Sequence, residues 1–258
     1  MKTVKIIKIG GNLIDDANAL SNFLNGFANI SGPKILVHGG GKLASRMAEK
    51  MSIEVKMIDG RRVTNKESLE VIIMVYAGTV NKKIIAELQK NGCNAVGLTG
   101  ADGNSIISIK RPVGDIDYGY VGDIVEVNTE VLQLLLDNGV IPVLCPITHD
   151  ENGQLFNTNA DTIASQLAIK FAESVTTELY YCFEKNGVLR DIHDDASVIE
   201  KISISDMDHL KKNGVISDGM LPKLENCIQA LEKNVEKVCV GKPEMLFQTQ
   251  SKHTTLIK

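Results

Sequence analysis

The 258-residue sequence has no tryptophan, and only 4% of its residues are aromatic. Neither sign of charge dominates. Lys plus Arg number 28 and Asp plus Glu 32, a formal net charge of −4. A mildly acidic chain with few stacking side chains is poorly suited to non-specific nucleic-acid binding, which rests on cations and aromatic platforms. No apolar run reaches the roughly 18 residues that a membrane-spanning helix needs. The five cysteines (Cys93, Cys145, Cys182, Cys227, Cys239) are odd in number, widely spaced and free of any Cys-x-x-Cys. That excludes a disulfide scaffold and points to buried thiols in a reducing compartment. The five histidines show no zinc spacing. Residues 2–9 mix lysines with β-branched residues, which reads as a strand and not as a secretory signal. The expected location is cytoplasmic.

What is present is a repeating alternation. Apolar strands are expected at 2–9, 34–38, 54–58, 95–98, 140–147, 178–183 and 237–240. Helical periodicity is expected after Asp15 or Asp16 as a cap, then along the face Leu43, Ala44, Met47 and Ala48, and over 66–91, 129–138, 160–171, 205–213 and 222–233. Residues 105–128 alternate between Gly and Asp turns, a hairpin pattern. Strands apolar on both faces, alternating with helices, predict a mostly parallel sheet covered on both sides. The expected fold is one three-layer α/β/α domain over 1–258, with lobes dividing near residues 171–175 (about 1–172 and 173–258).

Two glycine turns carry the first chemical signal. Lys8-Ile9-Gly10-Gly11-Asn12 ends the first strand, and His38-Gly39-Gly40-Gly41 joins the second to a helix. Glycines admit close backbone approach, and a following helix offers free N–H groups to an anion. A tight turn without ligand explains either one alone; two after successive strands favour an anion site. The sequence Gly41-Lys42-Leu43 lacks the hydroxyl residue of a P-loop. Gly39-x-Gly41-x-x-Ala44, with Asp59 ending the next strand, fits the dinucleotide fingerprint. It leaves Gly10-Gly11 unexplained.

Further candidates are weaker singly. Arg62, in Gly60-Arg61-Arg62-Val63-Thr64, is either a carboxylate clamp or a solvated arginine. Asn157, Asn159 and Asp161 precede an apolar helix, as caps or as lining of a polar site. Lys223 stands in the first turn of a helix, where a cation opposes the dipole unless an anion sits there.

In order, these segments resemble the acetylglutamate kinases of the amino acid kinase family. The resemblance also takes in Ala77-Gly78-Thr79-Val80-Asn81-Lys82, Val96-Gly97-Leu98, residues 119–128 and Ser217-Asp218-Gly219-Met220. It implies ATP-dependent phosphorylation of the side-chain carboxylate of an N-acyl-L-glutamate, a step of arginine synthesis. Lys8 and Lys223 would stabilise the transferring phosphoryl group, with Asp161 orienting both. Gly11 and Gly40 would donate N–H bonds to it. Gly40, Gly41, Arg62 and Asn157 would hold the acylglutamate, Arg62 on its α-carboxylate. ATP would lie over the C-terminal lobe near Glu184, Gly187, Val188, Leu189, Val215 and Ser217, with Mg²⁺ held mainly by its phosphates.

The sequence departs from the family's pattern at Phe183-Glu184-Lys185-Asn186-Gly187-Val188-Leu189, where a Thr/Ser-Asp pair is usual. Lys8 lies near the start, without the extra helix of ring-forming relatives, which suggests a homodimer not inhibited by arginine. Acetyl is the default acyl group; succinyl needs only a different pocket wall, expected from residues 60–64 and 105–128. A dinucleotide-dependent oxidoreductase and a non-catalytic sensor on the same fold are the readings from other classes.

Overall fold

The computed structural model describes residues 3–58, 60–191, 193–206, 221–248 and 250–258, the side chains of 221–223 excepted. The elements run in chain order. Strand β1 (Val4–Ile9) is followed by a short helix α1 (Gly11–Asp15) and by α2 (Ala17–Ala28). Next come β2 (Lys34–His38), α3 (Gly41–Lys50) and the strands β3 (Lys56–Ile58) and β4 (Arg61–Val63). Helix α4 (Lys66–Ile73), a π-helical turn (Met74–Val80) and α5 (Asn81–Lys90) form one continuous rod. Then follow β5 (Ala95–Leu98), β6 (Ile106–Lys110), β7 (Gly122–Val127), α6 (Glu130–Asp137), β8 (Ile141–Leu144), β9 (Ile147–His149) and β10 (Leu155–Asn157). The chain continues through α7 (Ala160–Ala172), β11 (Thr177–Cys182), β12 (Lys201–Ser203), α8 (Leu221–Glu232), β13 (Lys237–Gly241) and β14 (Thr254–Ile257).

Eight strands form the main sheet, in the order β12-β14-β13-β11-β1-β2-β8-β5. From β13 to β5 all neighbours are parallel; only β14 runs against β13. The early and late halves of the chain meet at the β1–β11 pairing, Val4 opposite Thr177. Side chains alternate across each strand. On β1, Val4 and Ile6 enter one core with α7 and α8, whereas Ile7 and Ile9 enter the other with α2 to α5. That is the three-layer arrangement expected from the sequence. Lys8 therefore falls on the α7 side, almost fully buried.

Several local features differ from the sequence expectation. Residues 140–147 are not one strand. β8 ends at Leu144, and Cys145-Pro146 carries the chain into a second sheet of order β10-β9-β6-β7. Proline cannot donate to a ladder, so the strand breaks there. β4, β10, β12 and β14 are too short to leave a period-two signal. The helix expected over 205–213 falls, from residue 207 on, outside the described residues. Asp16, one of two candidate caps, accepts hydrogen bonds from the Asn18 and Ala19 amides. Buried Lys34 closes the other end of α2, donating to the carbonyls of Phe27, Ala28 and Ile30. Among the described residues, no helix is long and apolar enough to cross a membrane.

Candidate active site

At the carboxyl ends of β2 and β8 opens a cleft of about 620 Å³. Its floor is the Gly39–Gly41 turn. Gly40 has φ +156°, and a Cβ there would come within 3.0 Å of the Tyr76 ring, so only glycine fits. Gly41 opens α3, whose first amides face the cleft. Lys42 reaches Asn12, tying this turn to the one after β1.

Opposite the glycines stands α7. Asn159 is its N-cap, its side chain accepting from the Asp161 and Thr162 amides. Asp161 is thereby fixed in the first turn, where a carboxylate complements the helix dipole. Its Oδ1 lies 2.7 Å from Lys8 Nζ, both side chains being largely buried. The Tyr181 hydroxyl donates to the Asp161 carbonyl at 2.9 Å. A lysine on β1 and an aspartate on α7, 153 positions apart by number, meet because β1 lies under that helix.

The third wall comes from β3–β4 and the second sheet. Arg62 Nη2 donates to the Gly41 carbonyl at 3.0 Å and to Ser45 Oγ at 2.6 Å, which aims the guanidinium along the start of α3. Asn157 Nδ2 donates to Thr64 Oγ1 at 3.0 Å. Thr64 is clasped in turn by residues 118–120, its N–H on the Tyr118 carbonyl and its carbonyl on the Tyr120 amide. Gly119 has φ +70° and its α-carbon lies against the Thr64 carbonyl, which leaves no room for a Cβ. Arg61 and Arg111 line the same cleft. Arg111 is paired with Asp123 through Nε and Nη2 and lies 5.5 Å from the Tyr118 ring.

The structure thus brings together Lys8, Gly40, Gly41, Arg62, Asn157 and Asp161. Gly11 begins α1 at the neighbouring turn. The nucleotide candidates do not gather here. Glu184 lines a second cavity, also about 620 Å³, with Phe23, Phe183, Lys242 and Phe247. Val188 and Leu189 are buried, and Gly187 packs against Thr254. Val215 and Ser217 lie outside the described residues, as does Asp59, and Lys223 is described only as part of the α8 backbone. Sequence reasoning passed over Tyr76; Thr64 and Arg111 fall in the segments 60–64 and 105–128 expected to wall the pocket, but neither was given a role of its own. For Tyr76 the available signal was the Ala77–Lys82 motif beside it, since π turns mark functional sites disproportionately.

The electrostatics suit an anion. Three arginines and a chain of backbone amides face the cleft, against Asp161 and Glu225. Behind it, burial holds His38 neutral, with its pKa lowered to about 4. Burial also raises the Tyr76 hydroxyl, Arg62 opposing it, so the phenol stays protonated. Among the described residues no group of three or more His, Cys, Asp or Glu could hold a metal ion.

Comparisons with known proteins agree with this picture. The amino acid kinase family matches residues 3–242. The acetylglutamate kinase of Cytophaga hutchinsonii is 48% identical over 257 residues, 99% of this chain and 97% of that protein. That of Bacteroides thetaiotaomicron is 49% identical over 235 residues, 91% of each. A solved protein of Streptococcus mutans superposes with TM-score 0.79 at 26% identity, covering 100% of this chain and 99% of that one. Carbamate kinase from Giardia lamblia bound to AMP-PNP gives 0.72 at 16% identity, over 100% and 98%, which shows the shared fold.

Proposed function

This chain belongs to the amino acid kinase family, and from that premise we propose that its cleft transfers the γ-phosphoryl group of ATP to N-acetyl-L-glutamate. The product is N-acetyl-L-glutamyl 5-phosphate, an intermediate of arginine biosynthesis. The observation that carries the reading is the Lys8–Asp161 ion pair set across the cleft from the Gly39–Gly41 turn and Arg62.

The reaction needs little acid–base help. A glutamate side chain, with an ordinary pKa of about 4.3, is ionised at neutral pH. One of its oxygens attacks the γ-phosphorus, and the bond to the ADP oxygen breaks. The obstacle is the approach of one anion to another, so positioning and charge stabilisation dominate. In this reading Lys8 and Lys223 flank the transferring group, and Asp161 holds the lysines in place. The Gly11 and Gly40 amides take its oxygens. Arg62 binds the α-carboxylate, while Asn157 and Gly41 hold the rest of the acylglutamate. Residues 1–172 carry that substrate and 173–258 the nucleotide, around Glu184, Gly187, Val188 and Leu189, with Val215 and Ser217. Mg²⁺ would be held mainly by the ATP phosphates.

The five buried free thiols suit a reducing cytoplasm. Exposed Met51 and Met74 flank one groove and offer apolar surface to a second copy, as a homodimer. The Gly39-x-Gly41-x-x-Ala44 match is absorbed by the kinase reading, since this turn faces Asp161 and Lys8.

A second reading keeps the reaction and changes the acyl group. Arg111 lines the cleft, and its pairing to Asp123 through Nε and Nη2 leaves Nη1 for a second carboxylate. N-succinyl-L-glutamate carries one. The test is incubation with MgATP and either acylglutamate, trapping the acyl phosphate with hydroxylamine. Hydroxamate from the acetyl substrate is expected. Hydroxamate from the succinyl substrate alone selects the second reading, and none from either overturns both.

A further inference from the structure

The glycine turn is held from behind by a chain of buried polar groups that the reaction itself does not use. His38 is fully buried, as is Asn81 at the start of α5. His38 Nδ1 lies 2.7 Å from the Gly39 carbonyl oxygen. His38 Nε2 lies 3.1 Å from Asn81 Nδ2, which also donates to the Val143 carbonyl at 3.1 Å. Lys82 Nζ donates to Asn81 Oδ1 and to the Gly97 carbonyl, both at 3.2 Å.

These contacts fix every proton in the chain. The Val143 carbonyl and the Lys82 ammonium admit only one orientation of the Asn81 amide, nitrogen toward Val143. That nitrogen is a donor, so His38 Nε2 is an acceptor. The ring proton of neutral His38 is therefore on Nδ1, donated to Gly39. Burial favours this neutral form.

The Gly39 carbonyl shares its peptide with the Gly40 N–H. In a planar trans peptide the two bonds point in opposite directions. Holding the carbonyl back toward the core turns the N–H outward, to the cleft. No acceptor among the described residues takes the Gly40 N–H. Tyr76 closes the other side of Gly40, so the peptide is gripped between the imidazole and the phenol ring.

We propose that His38 is a positioning residue for phosphoryl transfer, its Nδ1–H holding the Gly39–Gly40 peptide with the Gly40 N–H aimed at the transferring group. Asn81 acts one step further back, by fixing the tautomer. The inference rests on the kinase reading above, which gives the Gly40 amide its partner.

The test uses the side chain's own geometry. Asparagine at position 38 places an amide N–H near where Nδ1 stands, whereas glutamine reaches toward Nε2 and leucine donates nothing. H38N is expected to keep turnover within about threefold, while H38Q and H38L lose roughly 10²-fold in kcat, the scale of one oxyanion donor. KM for both substrates is expected to stay within about twofold, because the lost contact is made in the transition state. A purely structural role would instead lower melting temperature in all three and leave kcat per folded molecule unchanged. That result overturns the proposal. Wild-type protein labelled with [¹⁵N]histidine gives a second reading that needs no variant. A neutral, Nδ1-protonated His38 is expected; an Nε2-protonated or charged ring contradicts it. Wild-type hydroxamate formation is measured first. No product ends the kinase reading and this role with it, whereas product with undiminished H38L turnover ends this role alone.

Discussion

Two cavities of equal volume, about 620 Å³ each, open at the carboxyl ends of neighbouring strands of one sheet. The first follows β2 and β8 and is walled by four glycines, three arginines, Asn157 and Asp161. The second follows β1, β11 and β13 and is walled by Leu13, Phe23, Phe183, Pro243 and Phe247, with Lys242 among Asp16, Glu184 and Glu244. Volume does not distinguish them; chemistry does. The first offers cations and a buried Lys8–Asp161 pair to a developing negative charge. The second offers apolar rings and a surplus of carboxylates, which would repel a phosphoryl group. The same parallel topology thus builds two pockets, each bordered by a glycine turn, and the arginines with the Lys8–Asp161 pair decide which one suits an anion.

The sharpest way to break this contrast is Lys8→Met. It removes the cation paired with Asp161 at the first cavity and leaves the second intact. The expected loss in kcat is about 10³-fold, a scale typical of electrostatic stabilisation of a transferring group. Circular dichroism checks that the fold survives. Turnover within tenfold of wild type would move the chemistry away from the Lys8–Asp161 pair.

A second test is pH. His38 stands behind the first cavity and has a folded pKa of about 4 against 6.5 for the free side chain. Between those values the unfolded state binds more protons. Stability is therefore full above about pH 6.5 and falls as pH drops toward 4, by up to about 3 kcal/mol. Urea unfolding midpoints across that window measure it. H38N should lack this component.

Arg62→Ala sharpens the comparison on the substrate side. Losing a charge-assisted clamp on a carboxylate costs roughly 2 kcal/mol, so KM for N-acetyl-L-glutamate should rise about 30-fold, with KM for ATP unchanged. Steady-state kinetics with each substrate varied in turn decide it. A rise in the ATP constant instead would place the nucleotide in this cleft beside Arg62.

The smallest effect is expected in the other cavity. Phe247 packs its ring against Gly26 and Phe23 and is partly exposed. Phe247→Ala should cost about 1 kcal/mol of stability and leave hydroxamate formation within about twofold. A larger loss of turnover would move the reacting phosphoryl group to the second cavity.

Much of the first cavity was legible in the sequence, because its parts sit at strand ends marked by glycine and by helix caps. Lys8, Gly40, Gly41, Arg62, Asn157 and Asp161 are each next to such a signal. The pairing of Lys8 with Asp161 was implied by resemblance alone; only the fold places β1 under α7. Tyr76 had only the neighbouring Ala77–Lys82 motif to mark it, because a π turn inside a continuous helical pattern leaves no break in the 3.6-residue period. Arg111 was hidden in a hairpin whose register depends on contacts with Thr64 and Asn157. His38 read as the last residue of an apolar strand. Its role became visible once Asn81, 43 positions later, was found against its ring. The strands β12 and β14 were missed because three or four residues are too few for a period-two pattern. Around Glu184 the departure from the family's pattern is matched by geometry, since Glu184 faces the second cavity and Val188 the core.

The most direct test of the account labels all 22 glycines with ¹⁵N and adds MgADP, aluminium fluoride and N-acetyl-L-glutamate, which together imitate the transferring phosphoryl group. The amides of Gly11, Gly40 and Gly41 are expected to shift most, with Gly187 responding to the nucleotide, while Gly26, against Phe247 in the second cavity, holds its position. A large shift at Gly26 with Gly40 unmoved would contradict this assignment.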